Sequence, residues 1–518
     1  MKLSSTVSLL LALLLSANIV SCGTGTQHGA NTSGSDDVTT EPESTTEPVD
    51  PASVLELPDS DFKGREFRVL GNEGSYPQWN NFEIYAESEN GDVVNDAVFR
   101  RNRTVEDRYN VKVTQIIQNS GENQDACLVP HIRQTVMAGD DLYDLAFTTI
   151  SGIGALAREG LVYDLNGVRN IDFSKNWWNQ DVNDTLSIDG KLFFTSSDFS
   201  LRDKSRAYIL VYNKEMIKQN NLDDPVSLVR ENKWTIDKFS EMITQVAVDL
   251  NGDGKVDDKD QFGVGTDSYN AFATFIYGCG VTAVGKDEND VPILTLNSDR
   301  TVSAIDKVRS FFTLKNVTVI PDQWQGKVDY DYWSVSSKGF KEGRTLFTTS
   351  FPHSLKGYSS DCVNDYGIIP YPKFDESQEK HYTYADRYSM LFCIPASCAD
   401  PDFAGFMLEA LSAEATDTSL KAYYEISCKT KYTYDADSAE MLDLTFDGIQ
   451  YDLTRIYSIS GVNDILYKLA SKKDNTFSSD YAKIESKAQA DIEKLIEDLM
   501  GRPLSEIQEL YNNRDIEA

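Results

Sequence analysis

Between residues 64 and 160 the hydrophobic period switches back and forth between that of a strand and that of a helix. "GREFRVLG" (64–71) reads as a strand with a turn behind it, "NDAVFRRNRTVEDRY" (95–109) as a helix and "NVKVTQII" (110–117) as an alternating strand. "HIRQTVMAG" (131–139) reads as a helix stopped by Gly139, "YDLAFTT" (143–149) as a buried strand and "GIGALAREG" (152–160) as a short helix stopped by Gly160. Strands alternating with helices give parallel βαβ units, so this part of the chain must form an open α/β sheet. Farther on, "KLFFTSS" (191–197) and "RAYILVYNKEM" (206–216) read as extended runs, and "RTLFTTSF" (344–351), "YGIIPY" (366–371) and "YSMLFCIP" (388–395) as buried strands. "TVSAIDKVRSFFTL" (301–314), "FAGFMLEALSAE" (403–414) and the stretch from Ser478 to Arg502 carry helical stripes; Ile484, Ala488, Ile492, Ile496 and Met500 share one face of the last.

The N-terminus reads as an export signal. Lys2 precedes the apolar "LLLALLLSANIV", which is too short to be retained as a span, and the segment ends in "IVSC" followed by Gly23. This pattern points to residues 1–21 as signal peptide and Cys22 as a lipidated first mature residue. Residues 22–61, rich in Ser, Thr, Gly, Glu and Pro, cannot bury a core and are expected to act as a disordered tether. An anchored chain on a leash belongs at the outer face of a cell membrane, most simply that of a Gram-positive bacterium.

The 518 residues carry 49 Lys and Arg against 82 Asp and Glu, a formal charge of −33. That excludes nucleic acid as a partner, because phosphate binding needs clustered cations, and it argues against the folded part adhering to anionic lipid. Beyond Cys22 the cysteines, at 127, 279, 362, 393, 398 and 428, show no metal-type pair, and their spacing fixes no disulfide pairing.

"DLNGDGKVDDKD" (249–260) is a dense acidic turn. Asp249, Asn251, Asp253, the Lys255 carbonyl, Asp257 and Asp260 stand at positions 1, 3, 5, 7, 9 and 12 of a twelve-residue loop, with Gly254 at position 6. This is the ligand order of an EF-hand calcium loop, although position 12 is Asp and not Glu. "KWTIDKFSEMITQV" before it is a helix with Thr235 as N-cap, while "QFGVGT" after it has no helical pattern. Helix, loop and extended chain make a structural Ca2+ staple, not an opening sensor pair.

The order of these segments resembles that of extracellular solute-binding proteins of ABC importers, of the larger carbohydrate-binding type. The resemblance rests on "YDLAFTTISGIGALAREGLVYDLN", "WWNQDVNDTLSIDGKLFFTSSDFS", "YILVYNKEMIKQNNLDDP", "KWTIDKFSEMITQVAVDLNGDGKVDDKDQFGV" and "FKEGRTLFTTSF", and spans about residues 64–430. It implies a two-lobe α/β clamshell with crossing hinge strands, like periplasmic binding proteins. Lobe 1 would be 62–203 plus 380–416, and lobe 2 would be 204–379 plus 417–518. It also implies an ABC permease as partner, a monomeric chain and capture of a solute, a sugar or oligosaccharide, in the cleft. The glycine pair usual before the returning strand is replaced by "YTYADRYSMLFCIP", so the family's contacts there do not carry over.

A sugar needs aromatic platforms with polar groups at the rim. The loops after predicted strands offer Tyr76, Trp79 and Glu83, then Thr149 and Ser151, Asp198, Asp267 and Tyr269, Phe351, and Asp386, Arg387 and Tyr388. Trp79, Tyr269 and Phe351 are expected as platforms, with Asp198 and Arg387 as hydroxyl partners. Trp177, Trp178 and Trp234 are expected in packing. A secreted carbohydrate-active enzyme or a calcium-dependent glycan-binding or adhesion protein are the alternatives. Against the first, no nucleophile elbow, HExxH or phosphate loop occurs; against the second, the acidic loop has no second copy. No enzyme is expected.

Overall fold

The structure, a computed structural model, describes residues 50–74, 81–119, 128–432 and 435–501. The export signal, Cys22, most of the tether, Tyr76, Trp79 and Cys127 lie outside the described residues.

The strands in chain order are β1 (Arg65–Glu73), β2 (Val111–Asn119), β3 (Leu145–Thr149), β4 (Ile209–Asn213), β5 (Phe262–Gly265), β6 (Val284–Lys286), β7 (Pro292–Leu294), β8 (Thr318–Val319), β9 (Thr345–Ser350), β10 (Tyr366–Ile369), β11 (Thr383–Tyr384), β12 (Met390–Cys393) and β13 (Ile449–Gln450). One sheet has the order β12-β3-β1-β2 and a second the order β10-β4-β9-β5-β8. In the first, β1 runs parallel to β2 and β3 while β12 is antiparallel to β3. In the second, β5 is parallel to β8 and β9 while β4 is antiparallel to both β9 and β10. Two α/β lobes result. The chain crosses from the first to the second ahead of β4 and returns between β10 and β12. At the crossing, β11 pairs with β13 and Ala207 bridges to Ala385.

The local chemistry follows the sequence closely in the first lobe. The helix Val93–Tyr109 starts at Asp92, whose carboxylate accepts from the Val94 and Asn95 amides, and stops at Asn110 in the left-handed region. The helix Val129–Ala138 stops at Gly139, at φ 73°. In the second lobe Thr235 caps the helix Ile236–Val246 by accepting from the Lys238 amide. Trp234, just before the cap, meets Phe239 edge to face at 5.9 Å, a hydrophobic staple. The Trp234 indole N–H donates to the Pro370 carbonyl at 2.9 Å. This helix lies directly on β5 because a Cβ at Gly263 would stand 2.2 Å from the Ile243 carbonyl oxygen. Trp177 and Trp178 are also buried.

Two expectations change. Residues 191–197 make isolated bridges, Thr195 to Phe392 and Ser197 to Trp178, and no ladder. Of 206–216, only Ile209–Asn213 is strand; Asn213 then caps a helix, Lys214–Gln219, by accepting from the Met216 amide. The apolar run there continues past the strand because the helix buries Met216 and Ile217 on the same core.

The segment Thr416–Tyr432 packs on the helix Val93–Tyr109 of the first lobe, and the helix Ala436–Phe446 packs on β10 of the second. The last helix, Phe477–Met500, buries Ala488, Ile492 and Ile496 and ties back to the first lobe through an Arg158–Asp498 ion pair at 2.8 Å. No helix among the described residues is long and apolar enough to cross a membrane. The five described cysteines beyond the tether, Cys279, Cys362, Cys393, Cys398 and Cys428, are free thiols.

Candidate ligand cleft

The strand directions bring one set of loops together. β1, β3, β5, β8 and β9 all deliver their following residues to the same end of their sheets, and the antiparallel β4 and β12 begin there. The loops after β1, β3, β5 and β9, and the segments before β4 and β12, therefore face one crevice, as in open sheets generally.

Arg206 stands at its centre. Its Nε donates to Asp386 Oδ1 at 2.9 Å, its Nη2 donates to the same oxygen, and the two side chains are only 6% and 9% exposed. The guanidinium carbon lies 4.6 Å from the Phe351 ring centroid and 5.3 Å from that of Tyr388. Burial opposes the charge on Asp386, and Arg206 outweighs it, so the carboxyl stays below its ordinary value. His353 stacks on Phe351 at 5.4 Å, with its Nδ1 3.0 Å from the Ser205 carbonyl oxygen. Burial, helped by Arg206, pushes this imidazole down to about 3. It is therefore neutral at pH 7, with its proton on Nδ1 facing the carbonyl. Tyr208 packs on the Phe351 ring at 4.5 Å, and its hydroxyl donates to Asp267 Oδ2 at 3.2 Å.

Two acids here are short of partners. Burial, then the neighbouring Asp386, pushes Asp267 up to about 7, and its Oδ1 is buried without a hydrogen bond. Glu83 is fully buried; burial raises its pKa and Arg202 partly offsets this. Asn81 Nδ2 lies 3.5 Å from Glu83 Oε1, while Oε2 and both side-chain polar atoms of Asn72 have no partner. Leaving a buried polar atom unpaired costs about 1–3 kcal/mol. A ligand rich in hydroxyls would supply what these atoms lack. Tyr269 is held by its amide, which donates to Asp322 at 3.1 Å, and its ring meets Tyr467 edge to face at 5.9 Å. Tyr467 is 42% exposed.

Of the residues anticipated from sequence, Glu83, Thr149, Tyr269, Phe351, Arg387 and Tyr388 stand at this end of the sheets. Asp198 does not join them: its partners are the Thr416 hydroxyl at 2.8 Å and Lys204 at 3.8 Å, on the flank beside the helix Pro401–Ala415. Arg202, Arg206, Tyr208, His353, Arg455 and Tyr467 were not anticipated. A run of cations, "RDKSR", before a buried strand in so acidic a chain was the available signal for the first two. A separate pocket of about 370 Å³ opens between the helix Gln180–Leu186 and the β6–β7 hairpin. Its lysines are engaged, Lys286 with the Ser187 carbonyl at 3.1 Å and with Asp290, and Lys380 with Asp447 at 3.3 Å.

The acidic loop lies at the opposite, amino-terminal end of β5, closed by a Val248–Gln261 bridge. Asp249 accepts from the Gly252 and Gly254 amides at 2.7 and 2.8 Å, and Gly254 turns at φ 73°. Asn251 and Asp253 each accept from the amide two residues on. Asp260 accepts from Leu250 and Asp257 across the loop. Side-chain oxygens with a glycine at the sharp turn are the donor chemistry that Ca2+ requires.

The fold has solved counterparts. An ABC substrate-binding protein from Listeria monocytogenes, solved with cycloalternan, matches at a TM-score of 0.51 and 15% identity, over 85% of this chain and 99% of its own. A cyclo/maltodextrin-binding protein solved with maltotetraose matches at 0.53 and 14%, over 85% and 98%. UgpB from Mycobacterium tuberculosis, solved with glycerophosphocholine, matches at 0.51 and 14%, over 84% and 99%. No curated protein sequence matches the chain. Residues 106–440 match the family described as bacterial extracellular solute-binding protein, and the chain belongs to that family.

Proposed function

We propose that the chain captures a carbohydrate in this cleft and delivers it to the permease of an ABC importer by closing its lobes, binding its cargo without turning it over. One observation carries the reading. Acids with buried, unpartnered oxygens, Glu83 and Asp267, sit beside a layer of rings and guanidinium groups built from both lobes and the crossing strands. Hydroxyls of a sugar would donate to the acids, and its C–H faces would lie against Tyr269, Phe351 and Tyr388. The cycloalternan and maltotetraose held by two of the structural counterparts support a saccharide as cargo. Contacts from both lobes make binding and closure one equilibrium. A thermal-shift screen of saccharides, followed by solution scattering, tests this: a ligand that raises the melting temperature should also shrink the radius of gyration. Unchanged dimensions at saturation would sink closure. Release of reducing ends from the bound glycan would favour the enzyme.

The acidic loop holds a structural Ca2+ through Asp249, Asn251, Asp253, the Lys255 carbonyl, Asp257 and Asp260, remote from the cleft. Cys22 carries the lipid that keeps the monomeric protein at the outer face of the membrane. Cys22→Ala should shift it from the membrane fraction to the medium; persistent membrane association would show another anchor.

A further inference from the structure

The pocket beside the β6–β7 hairpin shares no lining residue with the cleft. It holds about 370 Å³, the size of a small-molecule site. Val284, Ile449 and Leu453 supply its apolar lining. Two polar groups that line it, one on β13 and one just after it, lack partners. Gln450 Oε1 and the Tyr451 hydroxyl are both buried without a hydrogen bond, and Tyr451 is only 6% exposed. Unmade hydrogen bonds of this kind are costly, and both oxygens can accept from a donor brought in by an occupant.

The charges around this pocket do not cancel. Lys286 is paired with Asp290, and Lys380 with Asp447 at 3.3 Å. That leaves Asp181 and Asp184, whose carboxylates accept no hydrogen bond and form no ion pair among the described residues. Lys380, the cation whose field reaches Asp181, is the one already paired with Asp447. Three residues apart on the helix Gln180–Leu186, the two acids are surface neighbours and repel each other. An ammonium group set against both would relieve the repulsion and make charge-assisted hydrogen bonds. A neutral polyol would satisfy the two orphan oxygens and leave the acids facing each other. A metal ion fits less well. The one cluster of metal-ligand spacing among the described residues, Asp141, Asp144 and Cys398, lies elsewhere and already holds the Arg68 guanidinium, 2.8 and 2.7 Å from the two acids.

We propose that this pocket is a second ligand site, separate from the carbohydrate cleft, and that it takes a linear polyamine. One ammonium end lies against Asp181 and Asp184, the methylene stem runs along Val284, Ile449 and Leu453, and an inner amine donates to Gln450 and Tyr451. Alkylamines keep their charge at pH 7, as lysine does. The test is calorimetry of the full chain with spermidine in about 150 mM NaCl, which screens general attraction to an acidic surface. One saturable site is expected. Asp181→Asn with Asp184→Asn should weaken it at least about tenfold. The control removes the same charge outside the pocket, by Glu87→Gln with Asp107→Asn, all four acids being exposed; it should bind spermidine like the wild type. 1,4-Diaminobutane should bind more weakly than spermidine, and 1,4-butanediol should not bind. Absence of a saturable site, or an equal loss in the control, would overturn the inference by reducing the attraction to overall charge. A diol that binds as tightly as the diamine would overturn it by making the pocket a polyol site. None of these outcomes bears on carbohydrate capture, whose residues lie elsewhere.

Discussion

Asp249 and Asp267 are the same residue under opposite conditions. Asp249 sits in solvent with both oxygens accepting from amides of its own loop. Asp267 has one oxygen accepting from the hydroxyl of Tyr208, just ahead of β4, and the other buried without a hydrogen bond. The acidic loop satisfies its polar groups within twelve residues; the cleft withholds partners from groups gathered from across the chain. Local satisfaction suits the proposed staple, and buried deprivation suits the proposed ligand cleft.

Four changes test that contrast. The largest effect should come from Arg206→Ala, which strands the buried Asp386. Breaking one side of such a pair costs about 3–5 kcal/mol. The urea midpoint should fall accordingly and ligand binding should vanish; an unchanged midpoint would mean that the pair is solvated. Next, Ca2+ at a hundredfold over its dissociation constant should add about 2.7 kcal/mol to the wild type. Asp249→Ala with Asp253→Ala should abolish that response to metal or chelator while leaving ligand affinity within a few fold. A response that survives in the double variant would put the metal elsewhere. Tyr269→Ala should do the reverse, weakening the ligand by about 1–3 kcal/mol, the worth of one buried large side chain, with the metal response intact.

The last change concerns pH. The folded state keeps a proton on Asp267 up to about 7, whereas the unfolded chain releases it near its ordinary value of about 4. In that window the folded state binds more protons than the unfolded one, so this group's contribution to stability falls as pH rises and is flat above about 7. The stability of Asp267→Asn relative to wild type should therefore climb between about pH 4 and 7 and then level off. A constant difference across the window would show that Asp267 titrates normally.

The same contrast explains what could be read from sequence. The Thr235 cap, its Trp234 staple and the spacing of the acidic loop are contacts between near neighbours, and each was visible as a local pattern. Glu83, Tyr269, Phe351, Arg387 and Tyr388 were also within reach, because residues that follow or precede a recognisable strand must stand at its end. Arg206 was not: its meaning depends on Asp386, Phe351 and Tyr388, and only the return of the chain brings these together. Tyr208, His353 and Arg455 were hidden for the same reason. Asp198 misled because it also follows an extended run, but that run makes only isolated bridges and turns its carboxylate toward Thr416 and Lys204.

The way the chain returns also sets the order in which the protein matures. The second sheet is built wholly from residues 209–369, whereas the first has β3 as an open edge until Met390–Cys393 arrives. As the polypeptide emerges at the far side of the membrane, the sheet begun second is therefore the one finished first. The lobe begun first waits with an unpaired strand edge, the kind of surface on which exported chains aggregate. Pairing across so long an intervening segment is slow. In pulse-labelled refolding, amides of β4 and β9 should gain protection before those of β3.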